Sequence, residues 1–281
     1  MKALTMNIHS HPREQEKEKY HRNIDLFAKY IIEQEIDVIA IQESSQTHTA
    51  PKVSKELLGS FVSCYEDTVI KEDNCTFLIS RKLEEMGVKH SFTWCCAKLG
   101  YDQYDEGLSV ISRYPVLEAE EFYISSLQDF YNWKTRKMIG VKLLIEDEPV
   151  WVYSVHMGWW KDEDESFVPQ MDRIQEILSE KKENIFLMGD FNSQADVRGE
   201  GYDYVKSLGW IDTYEIAEKR DDGITVPGTI DGWEDGENVG MRIDYIWSRK
   251  KVHVVSSQVV FSGEKESVIS DHFGIKIEIK E

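Results

Sequence analysis

Apolar residues recur along this chain in two rhythms, and the change from one to the other lays out most of its secondary structure. Residues 2–8 alternate as an opening strand ending at Asn7. Across residues 20–34, Ile24, Phe27, Ala28 and Ile31 fall at i, i+3, i+4 and i+7 with charged residues opposite, which predicts a helix lying on a sheet. A buried strand follows at 37–41. Residues 51–87 read as mostly helical, with Asp73, Asn74 and Cys75 placed to cap a helix that continues to Met86. Period-2 or continuous apolar runs then predict strands at 90–96, within 104–115, at 138–145 and at 150–155. Residues 166–182 return to the helical rhythm, with Pro169 in the first turn and Met171, Ile174 and Leu178 facing inward. Beyond them come a strand at 185–188, a short helix at 202–208, and strands at 241–247, 252–261 and 275–279.

Polar residues gather where these strands end. The clearest case is I-F-L-M-G-D-F-N, residues 185–192, where Gly189 closes an apolar run ahead of Asp190 and Asn192. Two residues apart in extended chain, their oxygens share one face, as a phosphate or a hard cation requires. Glu43 follows the strand V-I-A-I in the same way, and Glu106 precedes Gly107 and another apolar run. His156 sits at the exit of V-W-V-Y-S-V, and Asp271 and His272 stand in S-D-H-F-G just before the last strand. Asp244 lies in the middle of the strand M-R-I-D-Y-I-W, where an ionised carboxylate costs several kcal/mol unless it is paired, so a partner is expected. Each residue alone also reads as a turn, a solvated loop or a core histidine; the repeated placement at strand ends favours a site. Its donors are mainly oxygen, which suits Mg²⁺ or Mn²⁺ better than zinc. Lys134, Arg136 and Lys137 add a basic knot with an anion to meet. Together these groups fit phosphoester hydrolysis, with cations neutralising phosphoryl oxygens while His and Asp handle protons.

Composition narrows the partners. The chain has 281 residues, 33 basic against 52 acidic, for a net charge of -19. That excess repels polyanions, so extended nucleic acid is a poor partner. Length and the lack of low-complexity sequence favour one domain, residues 1–281. Cys64, Cys75, Cys95 and Cys96 make neither a C-x-x-C zinc knuckle nor a secreted disulfide framework, and fit reduced cytoplasmic thiols. The N-terminus lacks the apolar core of a signal peptide, and no run of about 18 apolar residues suggests a membrane span. A soluble intracellular protein is expected, with its oligomeric state left open.

The ordered blocks T-M-N, I-Q-E, Y-D-E-G, T-R-K, S-V-H, G-D-F-N, R-I-D-Y-I and S-D-H together resemble the endonuclease/exonuclease/phosphatase superfamily over essentially the whole length. The resemblance implies a deoxyribonuclease I-like α/β fold: a four-layer sandwich of two mixed β-sheets packed face to face, with helices outside and the site at one end of the sheets. It also implies roles. Glu43 is the main metal carboxylate, helped by Asn7 and Asp271 directly or through water. Asp190 orients or deprotonates the attacking water, and Asn192 holds a phosphate oxygen. His272, fixed by Asp244, bonds the scissile phosphate. His156, oriented by Glu106, faces the leaving group, and Tyr104 and Arg136 contact phosphate.

Within the superfamily, T-R-K-M-I-G and H-M-G-W-W are similar to a bacterial branch that includes maltose-phosphate phosphatases. That similarity implies a small phosphorylated substrate such as a sugar phosphate, with Trp159 and Trp160, and Trp133 and Trp233 beyond them, available to stack on sugar rings. Packing tryptophan is the alternative for each. A nuclease acting on DNA is the competing function; a phosphoinositide or sphingomyelin hydrolase comes third, because no apolar hairpin offers itself to a membrane. An idle regulatory binding protein is disfavoured by the intact Asp190 and His272.

Overall fold

The computed structural model describes residues 1–230, 233 and 240–280. In chain order its strands are β1 (Lys2–Ser10), β2 (Val38–Thr47), β3 (Ser91–Gly100), β4 (Tyr104–Ser112), β5 (Val116–Tyr123), β6 (Lys137–Ile145), β7 (Glu148–His156), β8 (Asn184–Asp190), β9 (Ile211–Asp212), β10 (Lys219–Arg220), β11 (Asp244–Ser248), β12 (His253–Val260) and β13 (Gly274–Lys280). The helices are α1 (Lys17–Glu33), α2 (Cys75–Glu85), α3 (Phe167–Leu178), α4 (Gly201–Ser207) and α5 (Thr213–Ile216). One mixed sheet has the order β10-β12-β13-β1-β2-β4-β3 and the other β5-β6-β7-β8-β11-β9. The sequence pattern misses β5, and it overstates helix in 51–87. Outside α2 that stretch holds only a single 3₁₀ turn at Lys55–Leu57. Asn74 does cap α2, its side chain accepting from the Phe77 N–H at 2.9 Å.

Strand alternation sorts side chains into layers. On β1, Leu4, Met6 and Ile8 face α1 and α2, whose Ile24, Phe27, Ile31 and Ile79 complete that cluster. On β8, Ile185 and Leu187 face outward to Met171, Ile174 and Leu178 of α3. Between the sheets Ala3, Val38 and Ala40 meet Val152, Phe186, Met188 and Ile246. This is a four-layer sandwich, α/β/β/α. The helix-facing residues of each sheet are what the amphipathic pattern marked, and burying each such side chain stabilises by about 1.5–3 kcal/mol.

Continued along the same strands, the inner face becomes polar. The inner positions after Ala3, Ala40, Val152 and Met188 are Thr5 and Asn7, Gln42, Ser154 and His156, and Asp190, all buried. Gln42 forms a floor between the sheets: it accepts from the Thr5 hydroxyl at 3.3 Å and donates to the Ser154 hydroxyl at 2.9 Å. Ser154 in turn donates to the Ile41 carbonyl at 2.9 Å. Beyond this floor the apolar core stops and the polar cluster begins.

Gly189 does not end its strand, as the pattern suggested; β8 runs through it to Asp190. Its φ of +151° and the space around it explain the residue. A Cβ there would stand 1.9 Å from the Val155 carbonyl oxygen and 3.0 Å from Nε2 of Gln42. Gly189→Ala is therefore expected to lower stability by about 2 kcal/mol or more, through strain and overpacking. Urea unfolding checks this, and an unchanged midpoint would show that β7 and β8 can yield at no cost.

Candidate active site

Three irregularities in one sheet aim the site. Ile8 and His9 of β1 lie opposite Glu43 alone on β2, while Gln42 and Glu43 of β2 lie opposite Leu108 alone on β4. On β3, Ala97 is an extra residue between the pairs Cys96–Gly107 and Lys98–Glu106. Each is a β-bulge, which turns the chain and redirects the next side chain. With Gln42 inward, alternation would send Glu43 outward; the bulge, with Glu43 at φ +50° and His9 at φ +40°, brings both into the site.

The cavity so formed has a volume of about 430 Å³. Of the residues expected from sequence, Glu43, Glu106, Arg136, His156, Trp159, Asp190, Asn192, Asp271 and His272 line it. Asn7 and Asp244 lie buried and hydrogen-bonded to that lining. Asn192 reaches the cavity by a different route from the one the spacing suggested. It lies at φ +43°, and its N–H donates to Oδ1 of Asp190 at 2.8 Å, so a side-chain-capped turn rather than extended chain sets the pair. The Asn192 amide donates to the Met157 carbonyl at 2.9 Å and accepts from the Trp233 indole at 3.2 Å.

Four expectations need correction. Tyr104 is buried with its ring against His11, centroids 5.0 Å apart, and does not line the cavity. Trp160 turns away from its neighbour Trp159 to pack on Phe167 and Tyr204 of the outer helical layer. Glu106 shows no hydrogen bond to His156; its Oε1 is ion-paired with Lys98 at 3.0 Å. Asp244 is the first residue of β11 rather than its middle. It is nonetheless fully buried, and its Oδ2 lies 2.9 Å from Nδ1 of His272.

The basic knot also divides. Lys134 pairs with Asp162 and Asp164 at 2.9 and 2.7 Å, and Lys137 with Glu121 at 2.7 Å. Only Arg136 turns inward, held by the carbonyls of Trp133 at 3.0 Å and Met157 at 3.3 Å, with its guanidinium 5.7 Å from the Trp159 ring centre. The sequence reading missed Lys98, His11 and the floor role of Gln42. A lysine inside the aromatic, cysteine-rich β3 was the available signal for the first; nothing marked the second.

Electrostatics divide the titratable groups. Burial lowers the affinity of His272 for a proton, but Asp244 and Asp190 more than reverse this and lift its pKa to about 10, so it is an imidazolium. His156 goes the other way: burial, then the charge of Arg136, press it well below its usual value, so it is neutral. Burial raises Asp190 to about 7, with His272 opposing and Asp244 adding to the rise. Asp190 and Asp244 are direct partners in the β8–β11 ladder, and His272 Nε2 stands 3.8 Å from Asp190.

The residues fit a hard cation. His9 Nδ1 sits 3.0 Å from Glu43 Oε2 and 3.7 Å from Asp271 Oδ2. Burial would lower its pKa, yet these carboxylates lift it to about 9, so a positive charge is already drawn to the point where they converge. Glu43 can ligate there with Asp271. Asn7 in this arrangement donates its amide N–H to Glu43 at 2.9 Å and to Asp190 at 3.1 Å, which holds both carboxylates in place. Glu43 also belongs to a second group, with His11 and Glu106, whose ligand atoms lie within 4.8 Å of one another.

The chain matches the Endonuclease/Exonuclease/phosphatase family over residues 4–272. It belongs to that family. No curated protein matches the chain. A family protein from Leptotrichia buccalis C-1013-b is 33% identical, with both chains covered at 100% and a TM-score of 0.86. A mannosyl-6-phosphatase from Bacteroides thetaiotaomicron VPI-5482 shares the fold at 16% identity, TM-score 0.67, with 100% of each chain covered. So does a humanized D. rerio TDP2, at 14% identity and TM-score 0.64, covering 100% of this chain and 99% of that one. The activity that goes with the family is metal-dependent phosphoester hydrolysis.

Because His272 stands between two buried carboxylates, its loss and that of Asp244 should not add. Asp244→Asn/His272→Ala is expected to lose little more activity than His272→Ala alone, and to be more stable than that single variant, which leaves two carboxylates uncompensated. Steady-state kinetics and thermal unfolding of the three variants check this; additive losses would separate the two residues.

Proposed function

We propose that this family member is a divalent-metal-dependent phosphatase of small phosphomonoesters, with sugar phosphates as the favoured class and residues 1–281 acting as one domain. The observation that carries this reading is the shape of the site: a cavity of about 430 Å³, walled by Trp133 and Trp159, with one inward arginine at its polar end. Its size falls within the usual range of about 300–1,000 Å³ for small-molecule sites. A nuclease needs basic surface continuing past the site, and here the flanking Lys134 and Lys137 are neutralised by acids. The fold neighbour described as a mannosyl-6-phosphatase is consistent with this choice, and the family's description, which covers nucleases as well as phosphatases, keeps the nuclease reading as the competitor. Four free thiols accord with a cytoplasmic setting. Among the described residues no helix is long and apolar enough to cross a membrane.

The roles follow from the charges. Glu43 and Asp271 would hold Mg²⁺ or Mn²⁺, which when bound would supply neutralisation of phosphoryl charge. Asp190, raised to about 7 and aimed into the cavity, accepts the proton of the attacking water. His272 as an imidazolium donates to a phosphoryl oxygen, and among the described residues Asn192 has one amide N–H left to do the same. His156, neutral and 3.7 Å from Asp190, stands at the same wall for the leaving group.

Purified protein with Mg²⁺, tested against sugar phosphates, nucleotides, inositol phosphates and plasmid DNA, should release phosphate from the sugar esters and leave duplex DNA largely intact at physiological salt. EDTA should abolish turnover. Efficient nicking of the plasmid with no sugar phosphate consumed would reverse the assignment.

The two adjacent tryptophans should separate. Trp159→Ala is expected to lower kcat/KM for a sugar phosphate by roughly 10-fold while sparing p-nitrophenyl phosphate, because only the first presents a sugar to that wall. Trp160→Ala should instead lower thermal stability and leave the ratio of the two substrates alone. Equal kinetic losses on both substrates with Trp159→Ala would remove the stacking role.

A further inference from the structure

Lys98 is buried, lines the catalytic cavity, and is explained neither by the sequence motifs nor by packing. Its position is built. Cys95 faces the core between the sheets and Cys96 packs on the helical side, so plain alternation would put Ala97 inward and Lys98 among the helices. The extra residue at Ala97 reverses this and sends the ammonium into the site. Beside it, a Cβ on Gly100 would stand 2.9 Å from Oε2 of Glu106, and one on Gly107 would stand 2.1 Å from the Cys95 carbonyl oxygen, so this corner closes tightly around the Lys98–Glu106 pair.

Charge gives the position a purpose. Among the described residues no carboxylate stands within ion-pair distance of Arg136, and the charge of Arg136 opposes that of Lys98. The two buried cations repel each other across one cavity; Glu106 and Glu43 act favourably on both, yet neither gives Arg136 an ion pair, so its guanidinium keeps capacity for a bound anion. Among the described residues Lys98 spends one of its three N–H donors on Glu106 and keeps two. A phosphomonoester brings about -1.5 to -2 charge and three terminal oxygens, whereas a diester brings one charge and two such oxygens.

Building on the phosphatase reading above, we propose that Lys98 is a substrate-binding residue which, with Arg136, grips the terminal oxygens of a phosphomonoester dianion and so sets the preference for monoesters over diesters. The pair lines the same cavity as His272. Glu106 orients the ammonium of Lys98 rather than the imidazole of His156.

The test compares p-nitrophenyl phosphate with bis(p-nitrophenyl) phosphate, which share a leaving group and differ in charge. Lys98→Met should lower kcat/KM for the monoester on the order of 100-fold and for the diester less than about 5-fold. Lys98→Met/Glu106→Gln removes both charges together, and so keeps the test open should the single variant fail to fold. It should show the same collapse of the monoester-to-diester ratio. Recovery of monoester turnover in the double variant, or equal losses on both esters, would reduce Lys98 to a counter-ion for Glu106 and overturn the proposal. Calorimetric binding of inorganic phosphate in Mg²⁺ decides the point without turnover: affinity should fall at least about 10-fold in the Lys98 variants. Unchanged phosphate affinity overturns the role of Lys98 even in an active phosphatase. Absence of monoester turnover by the unaltered protein would overturn the phosphatase reading, and the binding measurement would still judge Lys98.

Discussion

A protonated histidine between two buried carboxylates is the interaction on which the site depends. Asp190 and Asp244 face each other across neighbouring strands β8 and β11, an arrangement that like charges would oppose. His272, from the segment entering β13 of the other sheet, places Nδ1 2.9 Å from Asp244 and Nε2 3.8 Å from Asp190. The imidazolium stabilises both anions and joins the two sheets at their polar end. The same carboxylates keep it charged, since burial alone would strip its proton. Asn7 extends the network to Glu43, so its amide holds Glu43 and Asp190 while Asp244 holds His272.

The rest of the machinery sits where regular structure is broken. A regular strand presents every second side chain to the space between the sheets, and neighbouring inner positions on one strand are about 7 Å apart. That spacing is too coarse to converge ligands around an ion or a phosphoryl group. The bulges at Ile8–His9, Gln42–Glu43 and Ala97, and the left-handed Asn192, bring side chains closer than a flat ladder permits. Beneath them, the neutral Gln42–Ser154 floor separates this irregular layer from the apolar core, so the site is supported by a region with its hydrogen bonds already made.

Local charge differs from the charge of the whole. At -19 the chain repels anions at long range, yet its cavity sets Arg136, Lys98 and the His272 imidazolium among the carboxylates Glu43, Glu106, Asp190 and Asp271. Screening confines the overall repulsion to about 8–10 Å at physiological salt, and the desolvated cations act inside that distance.

The sequence by itself determined the layers. Apolar periodicity marked α1, α3 and most of the strands, because burial against a sheet demands a continuous face and that demand is written in every turn or every second residue. It also exposed Asp190, His156 and His272, since ionisable groups at the ends of apolar runs are conspicuous against such a background, and the ordered motifs tied them to one family. Tertiary structure decided the remainder. Whether Trp159 or Trp160 faced the cavity, whether Glu106 met His156 or Lys98, and which member of the basic knot turned inward all depended on neighbours from distant segments. β5, with E-A-E-E in its centre, carried too little apolar pattern to announce itself and is a strand because β6 offers it an edge. Lys98 was hidden for the most general reason: a bulge is a mismatch between two paired strands, and a mismatch is a property of the pair that neither sequence carries alone.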